Sequence, residues 1–133
     1  MMTRCLIVDD DLTTRLILKA ILDEFFVCDM AESGEEALTA FDLAHMSGQH
    51  YSLICLDITM PGMNGLKALT HLRETEQALS LDPSLESKII IITADSTSGT
   101  ILNSFFNCGA SAYITKPINR IRLIHELGVL SLI

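Results

Sequence analysis

Apolar residues along this chain come in two textures that alternate. Residues 4–8, Arg4-Cys5-Leu6-Ile7-Val8, form a short run that stops at Asp9-Asp10-Asp11, which predicts a strand. Residues 12–25 repeat apolar positions at helical spacing, Leu12, Leu16 and Ala20 with Ile17 and Ile21, and an acid is available to cap the helix they predict. A second strand is expected over residues 27–31. Ser33-Gly34-Glu35-Glu36 then opens a helix through Ala37, Leu38, Phe41 and Ala44 that closes near Ser47-Gly48. Residues 52–56 read as a third strand ending at Asp57, and Met60-Pro61-Gly62-Met63-Asn64-Gly65 reads as a loop before a helix over residues 66–79. The polar stretch 80–87, with Asp82-Pro83, is a loop. Residues 88–93 contain Ile89 to Ile92 without a break, the signature of a strand buried on both faces. A weaker helix over 99–108, a fifth strand over 111–115 ending at Lys116-Pro117, and a helix over 119–130 complete the chain.

Five strands alternating with five helices make an α/β fold. Apolar strands joined by crossover helices imply a parallel sheet covered on both faces, and we expect the doubly wound order 2-1-3-4-5. No linker, repeat or low-complexity segment interrupts the pattern, so residues 1–133 are expected to form one domain. The charge balance is 9 basic against 17 acidic residues, a net −8, which argues against direct nucleic-acid binding. No run of apolar residues is long enough to span a membrane, and the short apolar start does not read as a signal peptide, so a cytoplasmic location is expected. Cys5, Cys28, Cys55 and Cys108 have no metal-type spacing and read as small hydrophobes. His45, His50, His71 and His125 are dispersed and read as surface or packing residues.

In such a sheet, function gathers at the carboxyl ends of the strands. Strand one ends at Asp9 and Asp10, strand three at Asp57, strand four at Thr93, and strand five is followed by Lys116-Pro117. With strands one and three adjacent, three carboxylates crowd one corner. Two like charges about 4 Å apart repel by about 4 kcal/mol at an effective dielectric of about 20. A hard divalent cation with oxygen ligands relieves that repulsion, and a partly hydrated site suits Mg²⁺. Asp11 is expected to be a helix cap. Thr93 and Lys116 add a hydroxyl donor and a cation, which suit the oxygens of a phosphoryl group.

These residues carry a family resemblance. Leu6-Ile7-Val8-Asp9-Asp10, then Leu56-Asp57-Ile58-Thr59-Met60-Pro61-Gly62-Met63-Asn64-Gly65, Ile91-Ile92-Thr93-Ala94, Gly109-Ala110 and Tyr113-Ile114-Thr115-Lys116-Pro117, in that order, resemble the receiver domain of two-component response regulators over essentially the whole chain. The resemblance implies a flavodoxin-like fold and a single-domain switch. Asp57 would accept a phosphoryl group from a phosphohistidine on a sensor histidine kinase or histidine phosphotransfer protein. Mg²⁺ would be held by the carboxylates of Asp10 and Asp57 and the backbone carbonyl of Thr59, with Asp9 acting mainly through a metal-bound water. Thr93 would bind a phosphoryl oxygen. Lys116 would pair with Asp57 when the site is empty and with the phosphoryl group when it is filled, and Lys116-Pro117 would be a cis peptide. Movement of Thr93 would let the Tyr113 ring turn inward. The family places Thr59 and Asp95 where they influence how long the phosphate lasts. The output would be altered docking to a downstream protein, or pairing with a second copy, through the fourth helix, fifth strand and fifth helix. The only catalysis implied is the domain's own phosphoryl transfer and dephosphorylation.

Other classes fit less well. Asp9-Asp10-Asp11-Leu12-Thr13 also matches the opening of haloacid-dehalogenase-like phosphatases, with Asp9 as nucleophile, but only Glu126 follows Lys116 as an acid, and Asp57 would be unexplained. A flavin binder of the same topology would need a neutral phosphate loop where this chain has three acids. A receiver that has lost phosphorylation would not need the complete acid, threonine and lysine set. The end of the chain, Gly128-Val129-Leu130-Ser131-Leu132-Ile133, is apolar, which is expected to reflect either a partner subunit or a longer parent chain.

Overall fold

The computed structural model describes residues 2–60, 62–94 and 97–133. Five strands, β1 (Thr3–Val8), β2 (Phe26–Ala31), β3 (Tyr51–Asp57), β4 (Lys88–Thr93) and β5 (Ala112–Thr115), alternate with α1 (Leu12–Leu22), α2 (Gly34–Met46), α3 (Gly65–Ala78), α4 (Gly99–Asn107) and α5 (Arg120–Val129). All strand pairs are parallel, in the order β2-β1-β3-β4-β5. The expected elements are all present, with ends moved by a few residues at most. The loop before β4 also holds a short 3-10 turn, Pro83–Leu85.

The helices start where side-chain caps allow. Asp11, Ser33, Asn64, Ser98 and Asn119 each accept a hydrogen bond from a backbone N–H in the first turn that follows, replacing partners the helix cannot supply itself. Asp11 is therefore the expected cap. Its carboxylate takes both the N–H and the hydroxyl of Thr14, which holds its pKa below the usual range.

The sheet is buried on both faces. One core gathers Leu6, Val8, Ile54, Leu56, Ile89 and Ile91 against α2 and α3. The other gathers Cys5, Ile7, Cys55, Ile90 and Ile92 against α1 and α5. The isoleucine run thus divides between two cores, as a strand's alternation requires.

Two expectations need correction. Most of the apolar series read on α1 does not face the core. Of that series only Ile21 is buried; Leu12, Leu16, Ile17 and Ala20 are exposed, and Thr14, Arg15, Leu18 and Leu22 complete the buried face. Two of the histidines pack against each other, within the expectation of surface or packing residues. His45 lies edge-on to Phe41 and stacks with His50 at 6.1 Å between ring centroids, and burial followed by the charge of His50 holds its pKa below the ordinary value. The apolar tail, finally, packs partly on its own chain. Leu130 and Leu132 lie against the second core, and the Leu132 N–H donates to the Leu127 carbonyl at 2.9 Å, closing the end of α5. Cys5 and Cys28 stand opposite each other across β1 and β2, and all four cysteines are free thiols.

A buried ion pair that the sequence did not advertise ties the far side together. Arg73 on α3 meets Glu76 at 2.6 Å and donates to the carbonyls of Ser87 and Gly109. Glu76 in turn accepts from the Ser87 N–H at 2.8 Å.

Candidate functional site

Parallel register builds the site. Val8 lies beside Leu56 and Asp57 beside Ile92, so the residues that follow β1 emerge next to the last residue of β3. One carboxylate oxygen from each of Asp9, Asp10 and Asp57 lies within 4.8 Å of the others. Thr93 pairs with Thr115 across β4 and β5, and the Lys116 N–H donates to the Thr93 carbonyl at 2.8 Å, which brings the lysine to the same rim. The Lys116-Pro117 peptide is cis, as expected.

The acids differ in setting. Asp9 is fully buried, Asp57 is nearly so, and Asp10 is exposed. Asp9 is held from several sides. Its N–H donates to the Ala31 carbonyl, its carbonyl accepts from Arg15, and its Oδ1 accepts from the Asp11 N–H at 2.8 Å. Among the described residues its Oδ2 has no hydrogen-bond partner, and the Lys116 ammonium lies 3.3 Å from it. Asp57 Oδ1 accepts from the Thr59 N–H at 3.1 Å, and its Oδ2 lies 3.7 Å from Lys116. The lysine is therefore shared, and its shorter contact is to Asp9, where a pairing with Asp57 was expected.

The Asp57 carboxyl is pushed up to about 6 from an ordinary 3.8. Burial is the largest cause. The Thr59 N–H pulls the other way, the charge of Asp9 pushes up, Lys116 opposes it, and Asp10 adds a smaller push. A buried acid oxygen with no hydrogen bond, its lysine shared with a second carboxylate, fits a hard cation that supplies positive charge and accepts oxygen ligands. Asp9, Asp10 and Asp57 are the residues that would hold it.

Thr93 is buried, and its hydroxyl donates to the Ala94 carbonyl at 3.0 Å, so it must turn to reach an incoming oxygen anion. Thr59 is exposed beside the acids. Tyr113 is half-buried, edge-on to Phe106 at 6.2 Å and with the Arg122 guanidinium 5.9 Å from its ring centre. Pro61 of the loop motif and Asp95 lie outside the described residues. The sequence reading missed Arg15. Three before Leu18 and seven before Leu22, it falls on the core-facing side of α1, a side that the apolar spacing did not single out.

Close packing fixes Asp57 from behind. A Cβ on Gly65 would come within 2.5 Å of the Ile58 Cα and 2.8 Å of the Asp57 carbonyl oxygen. Both contacts are backbone, so α3 must move to admit a methyl group. Gly65→Ala is expected to cost about 1–3 kcal/mol in a urea titration, and an unchanged midpoint would show that α3 does not press on the strand end.

A family model described as the response regulator receiver domain matches residues 5–128. The chemotaxis protein CheY of Listeria monocytogenes is 34% identical over 128 residues, covering 95% of this chain and 96% of the relative. Among solved structures, CheY4 of Vibrio cholerae superposes with a TM-score of 0.81 at 25% identity, covering 97% of this chain and 98% of the other. A Borrelia burgdorferi CheY, solved in complex with CheX, BeF3 and Mg²⁺, also gives 0.81, at 27% identity and with 96% and 89% covered.

Proposed function

Because this chain belongs to the response regulator receiver domain family and is a phosphorylation-dependent switch, we propose that Asp57 carries the phosphoryl group, within a single receiver domain spanning residues 1–133. The observation that carries this reading is the acid corner itself: three carboxylates within 4.8 Å, one fully buried with an unpartnered oxygen, flanked by Thr93 and Lys116.

The donor is a phosphohistidine on a sensor kinase or a phosphotransfer protein. A carboxylate oxygen of Asp57 forms the new bond to phosphorus as the phosphorus–nitrogen bond of the donor breaks, and the leaving imidazole keeps the electron pair and takes up a proton. Phosphoryl transfer of this kind depends on positioning and on charge neutralisation. Asp10, Asp57 and the Thr59 carbonyl would hold Mg²⁺, with Asp9 acting through water, and the bound ion would supply positive charge to offset the acids and the phosphoryl oxygens. Lys116, close to both Asp9 and Asp57, neutralises a phosphoryl oxygen from the side. The Thr93 hydroxyl leaves the Ala94 carbonyl to donate to another, which opens space for the Tyr113 ring.

The output is docking to a downstream protein through the face of α4, β5 and α5, where Ile101, Phe106 and Ile121 are exposed. Pairing with a second copy would use the same face. The Borrelia relative's complex with CheX is a precedent for a protein partner. Its only catalysis is its own phosphorylation and dephosphorylation. Among the described residues no helix is long and apolar enough to cross a membrane, and we place the protein in the cytoplasm. Nothing favours the phosphatase alternative built on Asp9, which lies at the base of the corner with only one oxygen left free.

Incubation with acetyl phosphate and Mg²⁺, followed by peptide mass spectrometry, is expected to add one phosphoryl group on the peptide containing Asp57, and none when the metal is chelated. Modification only elsewhere, or equal incorporation without metal, would overturn the assignment.

A further inference from the structure

We infer that Arg15 is a positioning residue of the acid corner: it anchors the backbone at the end of β1 so that Asp9 and Asp10 present their oxygens to a divalent cation. The inference rests on the Mg²⁺ reading above and extends it to a residue outside the corner.

Arg15 is only 6% exposed, on the face of α1 that otherwise buries Thr14, Leu18, Ile21 and Leu22. A leucine would satisfy such a position without the cost of desolvating a charge. The guanidinium has two partners. Nη1 donates to the Asp9 carbonyl at 2.7 Å, and Nη2 lies 3.3 Å from Glu32 Oε1. The Glu32 side chain is largely exposed, so that pair returns little of the desolvation cost. The short contact to Asp9 is what a leucine could not make.

That contact completes a set. Of the four polar atoms of Asp9, the N–H is spent on Ala31, the carbonyl on Arg15 and Oδ1 on the Asp11 N–H. Only Oδ2 is left, and it faces the corner. The anchored carbonyl belongs to the peptide plane between Asp9 and Asp10, so fixing it also fixes the direction in which Asp10 leaves the strand. Arg15 therefore orients two of the three acids from behind.

The charge and the hydrogen bond of Arg15 act on a cation with opposite signs. A positive charge this close disfavours Mg²⁺, whereas preorganised oxygens favour it. Removing both together shows which dominates. Arg15→Met keeps an unbranched apolar stem, though a shorter one, and has no donor and no charge. By calorimetric titration without any phosphodonor, its Mg²⁺ dissociation constant is expected to rise about tenfold, as for loss of other groups that hold a metal ligand in place. Arg15→Lys keeps a donor of similar reach and is expected to stay within about threefold of the parent. Met binding Mg²⁺ as tightly as the parent, or more tightly, would overturn the inference and leave the metal reading standing. A parent protein that binds no Mg²⁺ would remove the metal reading and this inference with it. Should circular dichroism show Arg15→Met unfolded, Arg15→Lys decides alone, and a loss of tenfold or more despite a native spectrum would overturn the anchoring role.

Discussion

Asp57→Asn is expected to end phosphate incorporation altogether while making the metal-free protein more stable. Loss of incorporation follows from chemistry, because an amide is not the nucleophile that a carboxylate is. The gain in stability follows from linkage. An Asp that titrates at about 6 in the native state and at 3.8 when unfolded binds a proton more readily when folded. Its contribution to stability is therefore greatest at low pH, falls as pH rises from about 4 to about 6, and stays low above that. Roughly two pK units at about 1.4 kcal/mol each put the cost of the charged form on the order of 3 kcal/mol at neutral pH. Asparagine carries no charge and escapes that cost. Without Mg²⁺ at pH 7, the variant should melt roughly 10 °C above the parent, and the two should converge near pH 4. Parallel stability curves across that range would show that burial does not penalise the Asp57 charge.

Arg73→Met is expected to cost about 3–5 kcal/mol, because it leaves the Glu76 carboxylate buried without its cation. That is a large share of the roughly 5–15 kcal/mol that holds a domain folded. Glu76 Oε1 faces Arg73 at 2.6 Å and Oε2 takes the Ser87 N–H, while Arg73 also caps the carbonyls of Ser87 and Gly109. One side chain thus joins the end of α3, the loop before β4 and the turn after α4. Gly109 has a φ of +106°, and a Cβ there would lie 2.9 Å from the Arg73 side chain, so the turn fits beneath the guanidinium only as glycine. Arg73→Met combined with Glu76→Leu should be less destabilising than Arg73→Met alone, since it removes the orphaned charge as well. Urea denaturation of both variants tests this, and a double variant as unstable as Arg73→Met, or more so, would show that the orphaned charge of Glu76 is not what destabilises the single variant.

Both predictions turn on features that differ in how far sequence shows them. The sheet was readable because Ile89 to Ile92 fit no exposed element, and because four of the five strands end in residues with a chemical purpose. Asp9, Asp10, Asp57, Thr93 and Lys116 could be placed on one rim from strand order alone, since parallel strands bring all their carboxyl ends to the same side. The inward face of α1 was not readable from its apolar residues. Leu12, Leu16 and Ile17 keep helical spacing just as the buried series does, and nothing local separates a stripe facing solvent from one facing a sheet. Arg15 and the Arg73–Glu76 pair were missed because charged residues read as surface until their partners are known. Those partners are carbonyls such as Gly109, distant in sequence. The resting orientation of the Thr93 hydroxyl, turned to Ala94, was likewise not legible, because a residue type does not report its rotamer.

The strand order has a consequence in time. β1 lies between β2 and β3, yet β3 is made only after two complete helices have followed β1. While the chain is being synthesised, Asp9 and Asp10 leave the ribosome well before Asp57 exists, so the repulsion among them is absent from the early chain. It arises only when β3 docks, and is tempered only once β5 brings Lys116. Pairing of such distant segments is slow. The repulsion of the acid corner therefore weighs on the late stages of assembly, when β3 and then β5 dock, and not on the early chain.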